Sequence, residues 1–252
     1  DRVGDNLFAN SIIALDASNG KKIWHFQTVH HDVWDRDLPT PPVLFDYKVN
    51  DTIIPSLAQV TKSGYIFLLN RINGKPIYEI KEKDVPSNSK LVGEVLSKTQ
   101  PIPSFPDAFS RQSITDNDIN PFVSINERDS LLKVLSSISK EDVFSPPSEQ
   151  GTLIFPGFDG GAEWGGPALD PVNNKLYINS NEMPWILTMK KVSNSDSQGM
   201  NIYNKQCLMC HGIDYKGSGR NPTIIGLKDK YSYEDLISLI KKGKGYMPGF
   251  EF

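Results

Sequence analysis

One pattern recurs along the first three quarters of the chain and limits what it can fold into. Ser11-Ile12-Ile13-Ala14-Leu15-Asp16 is an apolar run, Ala17-Ser18-Asn19-Gly20-Lys21 a turn, and Lys22-Ile23-Trp24-His25-Phe26 a returning run. Asn-Gly between two apolar runs is a strong hairpin signal, because both residues accept the positive φ that tight turns demand. The pattern comes again at Tyr65-Ile66-Phe67-Leu68-Leu69, Asn70-Arg71-Ile72-Asn73-Gly74-Lys75 and Pro76-Ile77-Tyr78. A looser copy is Ala168-Leu169-Asp170-Pro171, Val172-Asn173-Asn174-Lys175 and Leu176-Tyr177-Ile178-Asn179. Repeated hairpins predict stacked antiparallel sheets. Sheets repeated radially make a β-propeller, and hairpins alone leave a β-sandwich open.

Between the copies, residues 79–150 break the rhythm. This stretch is rich in Ser, Pro, Asp and Asn and reads as strandless, with one amphipathic helix expected over Asn126 to Ser137 on Leu131, Leu132 and Leu135. Some seventy residues without a strand is too long for an ordinary connection, so the stretch reads as a functional excursion or as partly disordered. Val192-Ser193-Asn194-Ser195-Asp196-Ser197 is small and polar throughout, a linker composition. The expected organisation is therefore a β part over residues 1–191, a linker at 192–197 and a second part at 198–252.

The second part carries Cys207-Leu208-Met209-Cys210-His211, and these are the chain's two cysteines. Cys-x-x-Cys-His is the attachment signature of a c-type haem, with two thioethers to the ring and an imidazole under the iron. A disulfide or a redox dithiol can also use Cys-x-x-Cys. Haem in electron transfer takes a second axial ligand, and a thioether favours reduced iron. Downstream of His211 stands one methionine, Met247, in the run Gly245-Tyr246-Met247-Pro248-Gly249-Phe250, and no histidine. Beside Cys-x-x-Cys-His, the expected ligands are His211 and Met247, over the plain reading of a lone methionine as a core residue. Helices are expected over Gln198 to Gln206, with Tyr203 on a packing face, and over Tyr233 to Lys241, where Leu236, Ile237 and Ile240 have helical spacing.

From Gly199 onward, including the Asn221-Pro222 to Gly226 loop, the segment resembles the small class I cytochrome c fold. That family closes its haem pocket with a C-terminal helix, and no such helix is expected before Phe252. Haem c is attached outside the bacterial cytoplasm, yet Asp1-Arg2-Val3-Gly4 has no signal-peptide character. Together these features predict a piece of a longer, exported, periplasmic protein. A net charge of −3 without a basic stripe predicts no nucleic-acid partner, and no apolar run approaches a membrane span.

A second polar constellation, Val29-His30-His31-Asp32-Val33-Trp34-Asp35-Arg36-Asp37-Leu38-Pro39, crowds two histidines, three acids and a tryptophan together. Read alone, it is a metal site or a hydrogen-bonded polar loop. Asn10 to Asp16, Trp24 to Asp35, Asp37 to Pro39, Gln59 to Leu68, Phe144 to Thr152 and Trp164-Gly165-Gly166 closely resemble the quinoprotein glucose dehydrogenases. Those are eight-bladed propellers that use pyrroloquinoline quinone (PQQ) with a divalent metal, calcium or magnesium, and some members carry a cytochrome domain. The resemblance implies a partial eight-bladed propeller followed by an all-α cytochrome domain lacking its last helix. It implies that Asp35 is the catalytic base, that Lys62 in Thr61-Lys62-Ser63-Gly64 contacts the quinone, and that Asn179 lies on the cofactor side. A carboxylate to take a hydroxyl proton and a cation beside the quinone oxygen suit such an oxidation. His30 and His31 are read as loop supports, and no metal ligand is named for the propeller.

The expected activity is oxidation of a sugar or alcohol hydroxyl, an aldose to its lactone, by PQQ. Electrons would pass through haem c to a respiratory acceptor, a quinone or another cytochrome. The alternatives are a dehydrogenase for another alcohol, polyol or cyclic hydroxy acid, and a non-catalytic propeller joined to an electron-transfer cytochrome.

Overall fold

The computed structural model describes residues 2–191, 197–217 and 219–250. The chain divides into two compact units, residues 1–190 and 191–252. Most of the expected linker, residues 192–196, lies outside the described residues.

The first unit is built of small antiparallel sheets. Strand β1 (Ser11–Leu15) pairs with β2 (Lys22–Gln27), with Ile12 opposite Phe26. Strands β3 (Val43–Val49), β4 (Thr52–Val60) and β5 (Ile66–Asn70) form a three-stranded sheet in that order. The hairpin of β6 (Ile80–Asp84) and β7 (Thr99–Pro103) follows, then helix α1 (Ile125–Ser137). Strand β8 (Thr152–Ile154) pairs with the distant β11 (Trp185–Leu187), enclosing the hairpin of β9 (Ala168–Asp170) and β10 (Lys175–Tyr177).

The recurring turns share one chemistry. Asp16 Oδ1 accepts from Ser18 N (2.8 Å), Asn70 Oδ1 from Ile72 N (2.9 Å) and Asp170 Oδ1 from Val172 N (2.9 Å). Each acid or amide at a strand end thus starts an Asx turn. A positive φ follows four residues on, at Gly20, Gly74 and Asn174. The second copy departs from expectation in its pairing. Its strand β5 lies along β4, and its return is reduced to a bridge between Leu69 and Pro76. Pro76 has no N–H to give a ladder.

The expectation of a strandless excursion at 79–150 is corrected by the β6–β7 hairpin. Lys81-Glu82-Lys83 on one strand and two prolines on the other hide the strand signal, since neither alternates apolar with polar. Helix α1 forms as expected and is capped by a reciprocal Ser124–Glu127 box, but it contains no buried residue and leaves Leu131 exposed.

Three apolar clusters hold the unit together. Ile12, Trp24, Leu57 and Leu69 join the β1–β2 hairpin to the three-stranded sheet. Ala58, Val60, Ile66 and Ala162 bring the glycine-rich run after β8 onto β4 and β5. Val29, Trp34, Ile102, Phe144 and Ile154 fasten the His-His-Asp loop to β7 and β8.

The second unit contains α2 (Gln198–Gln206), the short α3 (Leu208–His211) and α4 (Tyr233–Lys242). Ser197 and Ser232 cap α2 and α4, and Gly243, at φ 72°, ends α4 by donating to Leu239 O. None of the three helices contains a buried residue. Among the described residues, no helix is long and apolar enough to cross a membrane.

Candidate functional site

The loop before β3 is shaped from beneath. Trp34 is fully buried, donates from Nε1 to Ser145 O (2.7 Å) and meets Phe144 edge-on. Asp32 ties the backbone: Oδ1 accepts from Trp34 N (2.9 Å), and Oδ2 accepts from Arg36 N (2.7 Å) and Asn10 Nδ2 (3.0 Å). With Trp34 held down, Asp35 takes a left-handed φ of 62° and is exposed. Such a conformation costs about 1–2 kcal/mol outside glycine, and the surrounding bonds sustain it.

Side chains then alternate. Asp35 and Asp37 point to one side, while Arg36 turns inward and is fully buried. Arg36 Nη1 donates to Pro156 O (2.6 Å) and Lys62 O (3.3 Å). Burial lowers its pKa to about 10 against the opposing pull of Asp32 and Asp35.

Lys62 stands on the turn after β4, which Thr61 closes by donating to Tyr65 O (3.0 Å) and accepting from Tyr65 N (3.1 Å). Its ammonium donates to Asp37 Oδ1 (2.7 Å) and Asp35 Oδ2 (3.1 Å), with Glu163 Oε1 at 3.8 Å. Desolvation pulls the lysine pKa down, yet its hydrogen bonds to Asp37 and Asp35, with their negative charges, outweigh it and leave the pKa raised. The Lys62 carbonyl also accepts from Gly161 N (2.7 Å). A side chain at Gly160 would collide with the stem of Lys62, and one at Gly161 with Ser110. The glycines let the backbone lie flat against the lysine.

The expected pair Asp35 and Lys62 is thus brought together. Asn179 is exposed beyond β10, and its segment reaches the site through Asn181 N, which donates to Gly161 O (2.9 Å). The described contacts do not join Asn179 to the Asp35–Lys62 pair. His30 lies between Gln27 Oε1 (2.8 Å) and Glu82 Oε1 (3.1 Å), and His31 between Gly4 O (2.8 Å) and Glu94 Oε1 (2.8 Å). Both rings brace the loop. Among the described residues, no three His, Cys, Asp or Glu side chains are placed to hold a metal ion.

In the second unit, Cys207 closes α2 and α3 carries Cys210 and His211 one turn on. Both cysteines are free thiols, and burial with the neighbouring Cys210 pushes the Cys207 pKa up. The His211 Nδ1 contact to Pro222 O (2.9 Å) assigns the proton to that nitrogen and leaves Nε2 with its lone pair. Tyr203 donates to Gly212 O (2.6 Å) and packs on Tyr215, which fixes α2 to the turn after the motif. Met247 closes a tight turn with Lys244 by two backbone hydrogen bonds of 3.1 Å, and Phe250 N ties that turn to Ile240 O.

Residues 1–218 match the model of the PQQ family described as the glucose/ethanol/alcohol dehydrogenase β-propeller domain. The chain belongs to this family. Residues 194–252 match a second model, described as cytochrome c oxidase, cbb3-type, subunit III. The chain is 38% identical to quinoprotein glucose dehydrogenase A of Acinetobacter calcoaceticus over 71% of its own length and 23% of that protein's. Against the quinoprotein glucose dehydrogenase of Escherichia coli (strain K12) it is 37% identical, covering 71% and 22%. Against the quinate/shikimate dehydrogenase (quinone) of Acinetobacter baylyi it is 33% identical, covering 74% and 23%. The chain therefore spans under a quarter of the length of these relatives. As members of a PQQ β-propeller family, the first unit's sheets are propeller sheets and not the halves of a sandwich.

Three residues around the Asp35–Lys62 contact escape a sequence reading. Arg36 reads as one more charge in a polar loop, and only its burial shows that it grips the Lys62 backbone. Asp37 reads as a bystander to Asp35. Glu163 is a hundred residues from Lys62. The alternation Asp35-Arg36-Asp37 is the one available signal, because period two sends the acids to one side and the arginine to the other.

Proposed function

We propose that the chain is part of an exported, periplasmic PQQ-dependent dehydrogenase that oxidises a sugar or alcohol hydroxyl, an aldose to its lactone, and passes the electrons through haem c to a respiratory acceptor. The observation that carries the reading is the contact of the Lys62 ammonium with the Asp35 carboxylate at 3.1 Å, a base and a cation side by side in a chain of the PQQ family. The named glucose dehydrogenases among the relatives support an aldose. A quinate/shikimate dehydrogenase at 33% identity supports a cyclic hydroxy acid as the second reading.

In this reading Asp35 Oδ2 takes the proton of the substrate hydroxyl, and Lys62 supplies positive charge at the oxygen where negative charge develops. The residues fit PQQ on one point of chemistry: the site offers an ammonium whose charge two carboxylates maintain. When bound, PQQ supplies a two-electron acceptor and haem c a one-electron carrier. Asn179 serves on the cofactor side, within an eight-bladed propeller that also holds a calcium or magnesium ion. Residues 1–191 are the propeller part, 192–197 the linker and 198–252 a class I cytochrome c domain.

The second unit fits haem by its donors and by its apolar faces. Cys207 and Cys210 sit at attachment spacing, and the hydrogen bond of His211 Nδ1 to a carbonyl fixes the tautomer a ligating imidazole needs. Ile213, Ile225, Ile237 and Ile240 of the same unit remain exposed, apolar area that a flat macrocycle would cover. Met247 would supply the second ligand to the iron.

The test is reconstitution of the intact protein with PQQ and calcium or magnesium, followed by dye reduction with glucose, other aldoses, glycerol and quinate. Aldose-dependent reduction with reduction of a covalent haem is the expected result. Turnover with quinate alone moves the substrate to the second reading. A reconstituted protein that binds PQQ but oxidises none of these points to a non-catalytic propeller.

A further inference from the structure

We infer that Asp37 is the positioning residue for Lys62: among the carboxylates around the ammonium it makes the nearest contact, holding the lysine's charge in place and leaving Asp35 as the carboxylate that exchanges a proton. The inference deepens the dehydrogenase reading and rests on it for what Lys62 does, while the pairing itself can be tested without it.

Distance comes first. Lys62 Nζ lies 2.7 Å from Asp37, 3.1 Å from Asp35 and 3.8 Å from Glu163. Ionised hydrogen bonds strengthen as they shorten into the range 2.7–2.9 Å, so Asp37 carries the larger share. The backbone holds both acids alike: Asp35 stands between the fully buried Trp34 and Arg36, and Asp37 between Arg36 and Leu38, which packs on the Ile12–Trp24–Leu57–Leu69 cluster. Distance is what separates them.

Arg36 adds the other end of the grip. While Asp35 and Asp37 hold the ammonium, Arg36 Nη1 holds the carbonyl of the same lysine at 3.3 Å. Three consecutive residues thus embrace Lys62 at its tip and its backbone. A base, by contrast, must take up and then release a proton, and a carboxylate tied tightly to a cation resists protonation. Sharing Lys62 with a closer partner leaves Asp35 the less committed acid. The division of labour follows from geometry: one acid to hold, one to react.

The charged groups facing Lys62 are Asp35 and Asp37 from its own neighbouring loop, Glu163 from the run after β8, and Arg36 against its backbone. The experiment is a ¹³C-lysine NMR titration of the intact protein without PQQ, with Lys62 assigned by loss of its signal in Lys62→Arg. Asp37→Asn should raise the acid dissociation constant of the ammonium about tenfold, the low end for losing one adjacent opposite charge. Asp35→Asn should raise it less, Glu163→Gln least, and Asp37→Glu should restore most of the wild-type value. Asp37→Ser serves as a second variant should the Asn substitution disturb the loop. An Asp35→Asn effect equal to or larger than that of Asp37→Asn overturns the inference, as does no effect from either Asp37 variant. Equilibrium binding of PQQ to the same proteins is the second readout, with weaker binding expected in Asp37→Asn. A wild-type protein that fails to bind PQQ sinks the dehydrogenase reading and leaves the titration result standing.

Discussion

The two units solve opposite problems. In the first, buried polar side chains are held mainly by the unit's own backbone and carboxylates. Trp34 and Arg36 are fully buried and Lys62 is 7% exposed; Trp34 Nε1, Arg36 Nη1 and Lys62 Nζ reach backbone carbonyls or carboxylates across long stretches of sequence, while Arg36 Nε and Nη2 are buried without a protein partner. In the second, none of the three helices contains a buried residue, and the order comes from capping serines, tight turns and the Tyr203–Tyr215 contact. One unit owns its interior. The other leaves isoleucines exposed and holds an imidazole by a backbone carbonyl; in the proposed reading a haem would cover them, since metal sites couple binding to folding.

The largest effect expected from breaking this comparison is loss of the second unit as a folded body. Cys207→Ala with Cys210→Ala should remove covalent haem, read from the haem spectrum of the denatured protein. Amide exchange should then lose protection throughout α2 and α4 while β4 and β5 keep theirs. Equal protection in both units after the double substitution would show that the helices pack adequately alone, and the contrast would fail.

Next in size is turnover. Asp35→Asn keeps the shape of the side chain but cannot accept a proton, so turnover of the intact, PQQ-loaded protein should fall by about 10²–10⁴. Haem content should be untouched, since the two sites draw on separate units. Asp32→Asn is a different experiment from what sequence position suggests. Asp32 accepts three hydrogen bonds that shape the loop, so it should lower stability and turnover together. If Asp32→Asn spared stability and cost more turnover than Asp35→Asn, the base would be misassigned.

A smaller effect tests the loop at the far end of the second unit. Met247→Ala should leave covalent haem in place and lower its reduction potential, because a thioether ligand favours reduced iron. Retention of the wild-type potential and absorption spectrum would make Met247 a packing residue only.

Legibility in the sequence follows from the same contrast. The second unit's chemistry is local, so Cys207, Cys210 and His211 announce themselves within five residues, and its helices show their period. The hairpins at Asn19-Gly20 and Asn173-Asn174 are equally local. What stays hidden is what depends on distant partners. The β3–β4 hairpin turns on Asn50-Asp51 and carries Pro55 inside a strand, which masks it. Strand β8 takes β11 as its partner across some thirty intervening residues, a pairing no periodicity reveals. Arg36 is the sharpest case, because a buried arginine and a solvated one look identical until the chain folds around Pro156.

The smallest expected effect probes whether the first unit really owns its interior. Gly20 and Gly74 occupy the same place in two copies of one turn, both at φ 71°. A methyl group at Gly20 would meet open space, whereas one at Gly74 would lie 2.6 Å from Trp24 Cε3, in the cluster that joins the first hairpin to the three-stranded sheet. Either alanine bears the left-handed backbone cost of about 1–2 kcal/mol. Gly74→Ala should lose about 1–3 kcal/mol more, because a packed ring has to move. Gly20→Asn should be milder than both, under about 0.5 kcal/mol for a surface change without a lost contact. The third copy already carries Asn174 at this place with φ 53°, and asparagine visits that region more readily than alanine. Urea midpoints of the first unit's transition in the intact protein measure all three. Equal losses for Gly20→Ala and Gly74→Ala would mean that Trp24 yields freely, and that the interior of the first unit is looser than its contacts imply.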